Sequence, residues 1–544
     1  MVTVLGRRDE RIHLPAEIVC GNELDARVKE KLPMIANFPP HVRNEAISLV
    51  RGFLIPGTRG AQGILPGLGV QITDERFSSR ARVLPLPIVM AAGVQVPKAK
   101  GNMWAPILKS CNYRINPSGS NILNVVLIHY EDLHPDMAYK VYSRIRDNVN
   151  SLNTRYRLSD KPFRTVRAGA KERHWSAVEQ CFMQNTSSLS AENVFVIDFC
   201  KPGGSTDPAY SVIKHMLTRH GYISQFVNFS TCAHDRPIDD KMGKRSRDIM
   251  NGVGRQILNK AGARLWWVEI PQGLPTPSVF VGVDVFHAPK VYDPELGRRV
   301  RKSSCAAIIV QVFRDDPNRQ ETIEIYSETV AREAGMEYDL KDSLNRAVKK
   351  GLEALEVDPL SCVVWRDGIG DSAFESEASQ EIEGVEEALK AVSLNHKSKD
   401  APIDTPAKKT PMAYIVCQKR IDTKLFAAGV NGHQDGTLAV PPGTLVQGIQ
   451  ALQNDTFYIN GRAPPRSMPK PVRYVVVRQD DELQGVSLPE LTWNMCHDYP
   501  NWTGPIKVPS VCMMAHKLAE LAGNMTDNGA SMNNQALTNR AHFL

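Results

Sequence analysis

After Pro271 the chain stops alternating strand with helix and runs three strands in succession, a change that limits the architecture more than any other feature. Apolar, β-branched runs at 279–286, 304–313 and 321–327 follow one another with no helix between them, which predicts an antiparallel meander. A helix over 336–356, a strand at 361–366, a helix over 374–393 and a strand at 412–418 come next. Upstream, from Ile122, the order differs. Leu123-Asn-Val-Val-Leu-Ile-His and Val194-Phe-Val-Ile-Asp-Phe read as buried strands, and 137–152 and 209–220 as helices. Ser224-Gln-Phe-Val, a helix over 244–263 and Trp266-Trp-Val-Glu-Ile complete a unit whose alternation predicts a parallel, doubly wound sheet. Residues 1–117 are rich in Pro/Gly turns and read as irregular, with one helix over 40–53, and 394–411 as a polar loop.

At 544 residues the chain needs two or three cores. Hydrophobic content of 42% with 23% charged residues is that of a water-soluble globular protein. A formal charge of +7 permits a polyanionic partner without requiring one. The first ten residues lack an apolar core, so they do not read as a signal peptide. The apolar stretch at 83–97 is too short and too interrupted by proline to span a bilayer, so no membrane role is expected. Ten cysteines contain no Cys-x-x-Cys pair, and Cys200, Cys305, Cys362 and Cys417 lie in strand-like runs. They read as buried thiols in a reducing compartment, cytosol or nucleus.

Three distant segments carry metal-seeking side chains. Asp284 ends the apolar run of Val279-Phe-Val-Gly-Val-Asp284, and Asp367 ends Val363-Val-Trp-Arg-Asp367. His516 opens an amphipathic helix in Val508-Pro-Ser-Val-Cys-Met-Met-Ala-His516. One such aspartate alone serves turn chemistry. Carboxylates at the ends of neighbouring strands, with a histidine from a later helix, would hold two divalent ions for an in-line displacement at phosphorus.

Together with the order βββαβα that begins at the meander, which is that of ribonuclease H-like domains, ordered blocks carry a resemblance. They are Trp267-Val-Glu-Ile-Pro, Val281-Gly-Val-Asp284-Val-Phe-His, Arg366-Asp367-Gly-Ile-Gly-Asp, Cys417-Gln-Lys-Arg-Ile-Asp-Thr-Lys-Leu-Phe, Pro441-Pro-Gly-Thr-Leu-Val, Asp455-Thr-Phe-Tyr-Ile, Leu491-Thr-Trp-Asn-Met-Cys-His and Ala515-His516-Lys-Leu-Ala. Over some 280 residues, they make the sequence resemble the Argonaute/Piwi family, on its Piwi side. The resemblance implies an α/β chain: an irregular linker segment at 1–117, a Rossmann-like MID domain at 118–272 and a ribonuclease H-like PIWI domain at 273–544. His13-Leu-Pro-Ala-Glu-Ile looks like the linker that follows a PAZ domain, so the resemblance implies that this sequence is without the amino-terminal and PAZ domains expected of longer relatives.

What the resemblance implies for function is specific. A monomer would take a small guide RNA with a 5′ phosphate, pair it with a complementary target RNA, and cut the target with magnesium, or manganese in its place. The products would carry a 3′ hydroxyl and a 5′ phosphate. Asp284, Asp367 and His516 match the family's metal-binding positions. The fourth member, a glutamate on a loop, is expected at about Gly335, which Glu333 and Glu337 flank; Glu337 leads directly into the helical run and is the one assigned to the catalytic set. Tyr210, Lys214, Gln225 and Lys260 match the residues that grip the guide 5′ phosphate. Tyr210 and Lys214 share a helix face at i, i+4. Gln256 and the terminal carboxylate of Leu544 match a second metal site beside that phosphate. Arg298-Arg-Val-Arg-Lys302, Lys241-Met-Gly-Lys-Arg-Ser-Arg247 and the arginines of 164–173 form basic rims. Two other readings stand beside the cutter: a guide-dependent factor that silences by recruiting protein partners, and an inactive fragment. An unguided nuclease of the same fold would need no 5′-phosphate pocket.

Overall fold

The structure is a computed structural model. It describes residues 2–5, 11–14, 81–96, 121–130, 133–152, 154–168, 194–200, 208–229, 241–288, 291–293, 298–300, 304–315, 322–332, 340–371, 374–395, 409–427, 439–448, 455–462, 469–525 and 533–544. The helix expected over 40–53, most of the polar loop, and both Glu333 and Glu337 lie outside these residues.

Two compact units are formed. One comprises Met1–Ser78, Thr423–Pro441 and Ala463–Lys470, and holds the antiparallel pair β1 (Val2–Leu5) and β2 (Arg11–Leu14). The other unit comprises Ser79–Asp422, Pro442–Arg462 and Pro471–Leu544.

Short strands β3 (Ala81–Val83), β4 (Val89–Ala91) and β5 (Val94–Gln95) come first. Then β6 (Asn121–Tyr130) leads into α1 (Pro135–Asn150), which buries Ala138, Val141, Tyr142, Ile145 and Val149 at helical spacing. Strands β7 (Tyr156–Leu158), β8 (Arg164–Ala168), β9 (Val194–Cys200) and β10 (Ile223–Asn228) all run parallel in one sheet around β6. Helices α2 (Pro208–Arg219) and α3 (Lys241–Ala261) flank β10 in the chain. The basic stretch at 164–173 thus begins as a sheet strand, β8.

One expectation fails here. Residues Trp266–Ile270 do not complete the parallel sheet: β11 (Trp267–Val268) pairs antiparallel with β4 in a separate three-stranded sheet. The cause lies beside it. Arg264 donates two hydrogen bonds to buried Asp498, at 2.7 and 2.8 Å, and Trp266 Nε1 donates to His497 O at 3.2 Å. These bonds tie residues 264–266 to His497 and Asp498, away from the parallel sheet.

The large sheet has the order β16-β15-β12-β17-β18-β21-β20-β19-β3. Its first members, β12 (Ser278–His287), β15 (Ser304–Phe313) and β16 (Ile325–Arg332), form the expected meander, with a hairpin of β13 (Val291–Asp293) and β14 (Arg298–Val300) between the first two. Helix α4 (Lys341–Ala354), β17 (Ser361–Asp367), a π-turn at Phe374–Ala378, α5 (Ser379–Asn395) and β18 (Met412–Gln418) follow, with β17 parallel to both β12 and β18. Strands β19 (Thr444–Gln447), β20 (Asp455–Ile459) and β21 (Val472–Gln479), then α6 (Leu488–Met495) and α7 (Ser510–Met525), end the order. Among the described residues no helix is long and apolar enough to cross a membrane.

Side-chain alternation sorts the central strands onto two cores. Val279, Val281 and Val283 of β12 join Cys362 and Val364 of β17 on the face that packs α4 and α5. Phe280 joins Val363 and Trp365 on the opposite face, with α7. Asp284 and Asp367 have the parity of this second face, so both carboxylates are directed beneath α7.

Candidate metal centre and phosphate pocket

Register brings the two aspartates level. Gly282 pairs with Trp365 and Val283 with Arg366, so the next residue on each strand, Asp284 and Asp367, stands at the same height on adjacent parallel strands. Ligand atoms of Asp284, Asp367 and His516 all lie within 4.8 Å of one another. No other group of three potential ligands this close occurs among the described residues.

Helix α7 comes this near because Gly282 has no side chain. A Cβ there would lie 2.2 Å from Val511 O and 2.8 Å from Cys512 N. Gly523 further along α7 makes the same concession to the Phe286 ring, at 2.3 Å. With its backbone against β12, α7 delivers His516 Nδ1 to Asp284 Oδ2 at 2.6 Å. Gly282→Ala must therefore push α7 outward. We expect a loss of about 1–3 kcal/mol in stability from overpacking, and weaker divalent-ion binding, read by thermal melts and Mn2+ titration of the same sample.

Burial opposes the charge of Asp284, yet the hydrogen bond with His516 and the charge of Lys419 outweigh it and hold the carboxyl below its ordinary range. Asp367 goes the other way. Burial and then repulsion from Asp284 raise it, against the pull of Lys419. Two carboxylates this close, one held ionised and one resisting ionisation, form a site that attracts positive charge. Lys419, just past the end of β18, sets its ammonium on Asp367 Oδ2 as a stand-in cation. Oxygen-rich donors with one imidazole suit magnesium or manganese. With Nδ1 on Asp284, the imidazole of His516 has Nε2 as its remaining ring nitrogen, the usual division of labour in histidines that serve metals.

Behind the site, on the α5 face, Arg366 Nε meets both oxygens of Glu381 at 3.1 Å, and the Tyr414 hydroxyl donates to Glu381. All three are buried. Past Asp367 the chain turns at Gly368, whose φ of +96° favours glycine. Gln418 Nε2 then binds Ile369 O at 3.0 Å and Asp371 at 2.7 Å, fixing the turn. The roles of Lys419, Glu381, Tyr414 and Gln418 are visible only in the structure: Asp367 and Cys417 are register partners, which puts Gln418 and Lys419 at the mouth of the site.

A second cluster gathers the five residues expected around a guide 5′ phosphate, and β10 is its spine. Lys214 of α2 donates to Ser224 Oγ at 2.8 Å and Ser224 O at 3.3 Å, and Lys260 of α3 reaches the same carbonyl at 3.0 Å. Gln225 Nε2 donates to Gln256 Oε1 at 3.1 Å. The Tyr210 ring stands edge-on to Phe226, centroids 4.6 Å apart. Lys214 also holds His542 O at 3.2 Å, so the chain's last residues reach this pocket, and Leu544 is half-buried against the larger core. Burial lowers Lys214 to about 7, and burial with the charge of Lys214 drives Lys260 well down. Burial likewise takes His542 to about 3. Two lysine amines buried on one acceptor, both depressed by burial, would regain their charge beside an anion.

A cavity of about 330 Å³ lies elsewhere, lined by Gln447, Asp455, Phe457, Gln479 and Leu488 among others. It contains none of these residues, and the chemistry locates the site better than the cavity does.

The Piwi domain family matches residues 197–527. The Piwi-like protein Ago3 of Bombyx mori is 25% identical over 469 residues, covering 85% of this chain and 44% of its own length. The chain thus spans less than half of that curated relative. Among solved structures, the crystal structure of Drosophila Piwi is similar with a TM-score of 0.71 at 18% identity, over 95% of this chain and 64% of the other. Kluyveromyces polysporus Argonaute with a guide RNA gives 0.69 at 15% identity, over 100% and 65%. The α/β architecture, with a ribonuclease H-like fold around the large sheet, is that of these structures.

Proposed function

Because the chain belongs to the Piwi domain family, we propose that it binds a 5′-phosphorylated small guide RNA and cuts a complementary target RNA. The observation that carries this reading is the meeting of Asp284, Asp367 and His516 within 4.8 Å. The separate pair of buried lysines supports it, because an unguided nuclease has no use for a terminal-phosphate pocket. A structural neighbour solved with a guide RNA is a further support.

In this reading Asp284, Asp367 and His516 hold magnesium, or manganese in its place. Such ions, when bound, promote ionisation of the attacking water and stabilise the leaving 3′ oxygen. The chain's own residues do the rest. His516 Nδ1 and Asp284 orient each other, and Arg366, locked to Glu381, fixes the strand end that carries Asp367. Lys214, Lys260, Gln225 and Gln256 anchor the guide phosphate, and Tyr210 offers a ring to the first base. A metal between Gln256 and the carboxylate of Leu544 would add to that anchor. Specificity then comes from base pairing, with the protein holding the duplex by backbone and shape. We take the protein to act as a monomer in the cytosol or nucleus, where its buried thiols stay reduced; Cys305, Cys362, Cys417, Cys496 and Cys512 are free and buried.

The test loads purified protein with a 5′-phosphorylated guide and offers end-labelled complementary RNA with magnesium. A single cut at a position fixed by the guide is expected. Tight, guide-dependent retention of uncut target would instead establish a recruiter of protein partners. Binding that ignores the guide sequence would overturn both.

A further inference from the structure

Lys419 is neither a ligand nor a bystander. Its ammonium touches Asp367 Oδ2, its side chain is only 25% exposed, and Asp284 adds a second negative charge nearby. Burial works against that positive charge, and the two aspartates outweigh it. Lys419 leaves β18 immediately after Gln418, whose amide is fixed to Ile369 O and Asp371. The lysine stem therefore starts from a fixed point, while its tip remains on a rotatable four-carbon chain.

Resting on the reading of Asp284, Asp367 and His516 as a metal site, we propose that Lys419 is the resident counter-cation of that site and that divalent ions enter by displacing it. The argument is one of charge and space. Asp284 and Asp367 are buried with ligand atoms within 4.8 Å of each other, and two carboxylates so placed repel where water is scarce. An ammonium on Asp367 makes the pair tolerable to the fold. A divalent ion on the same oxygens cannot coexist with that ammonium, because like charges in contact in a partly dry site repel strongly. The two cations are alternatives. Metal affinity is then set by a competition written into the chain.

Mn2+ titration of the full chain, followed by the electron paramagnetic resonance of the free ion, tests this on wild type, Lys419→Met and Asp367→Asn. Wild type should bind, Asp367→Asn should lose binding, and Lys419→Met should bind about tenfold more tightly because no ion pair has to open. A pulse of amine-acylating reagent read by mass spectrometry, on wild type alone, supplies a second readout: Lys419 should become more reactive when Mn2+ is added. Equal or weaker binding by Lys419→Met, or a Lys419 as protected with Mn2+ as without it, overturns the proposal while leaving the metal site standing. Absence of Mn2+ binding in wild type overturns the metal-site reading and this proposal with it.

Discussion

Asp367→Asn should slow guide-directed cleavage by at least about a thousandfold, the scale on which an irreplaceable charged group acts, and should leave the melting temperature unchanged or higher. Asparagine keeps the size of the side chain and removes the charge that magnesium needs. The stability half follows from linkage. Burial and the charge of Asp284 raise Asp367 in the folded chain, so the folded state binds its proton more tightly than the unfolded state does. Its contribution to stability is lost as pH rises from the unfolded value near 3.9 through the folded one. At neutral pH the ionised group is a burden that asparagine lifts, and Lys419, one quarter exposed, can turn to water. Asp284→Asn should behave differently. Asp284 is held below its ordinary range, so its contribution is present above the unfolded value and is lost as pH falls through the folded one. That variant should lose both cleavage and stability at neutral pH. Single-turnover cleavage beside thermal melts at about pH 7 and about pH 5 separates the two. An Asp367→Asn protein that cuts at the wild-type rate would remove this residue from the site.

These two aspartates also mark how far the sequence can be read. The strands that carry them are unbroken apolar runs, and a period of two then assigns Asp284 and Asp367 to the face shared by Phe280 and Trp365. The order of these strands along the chain followed from patterns local to each element. What depended on distant partners was hidden. Trp267-Val268 has the composition of a strand, but its partner Val89-Met90 lies in a segment that reads as irregular, so the sheet it joins was assigned wrongly. The burial of Arg366 is explained by Glu381, to which Tyr414 also donates, and neither is adjacent to it in sequence. Lys419 is silent for the same reason: nothing in Cys417-Gln-Lys-Arg tells that its tip meets Asp367. The glutamates at 333 and 337 fall outside the described residues, and the choice between them rests on sequence alone.

The second large effect belongs to the lysine pair. Lys214→Met combined with Lys260→Met should abolish the preference for a 5′-phosphorylated guide, lowering its affinity by about a hundredfold or more, since each charge-assisted hydrogen bond contributes about 1.5–3 kcal/mol. Affinity for the 5′-hydroxyl guide should hardly change. Wild-type affinity should also depend on pH in a direction set by burial. Lys214 sits at about 7 without a counter-anion, so above that point the phosphate must bring a proton onto the lysine as it binds. Affinity then falls by up to about tenfold per pH unit above neutrality for one linked proton, and more where Lys260, lower still, also takes one up. Stability of the guide-free chain should move oppositely. A lysine depressed in the folded state binds its proton less tightly than the unfolded chain does, so stability rises with pH from about 7 toward the unfolded value near 10.4. Replacing both lysines should accordingly stabilise the guide-free protein at neutral pH, although it ruins guide capture. Anisotropy with the two guide forms across this range, and calorimetry in buffers of different ionisation enthalpy, read the linked proton directly. Wild-type protein that binds both guides equally would show that the two buried ammoniums serve the fold and not a phosphate.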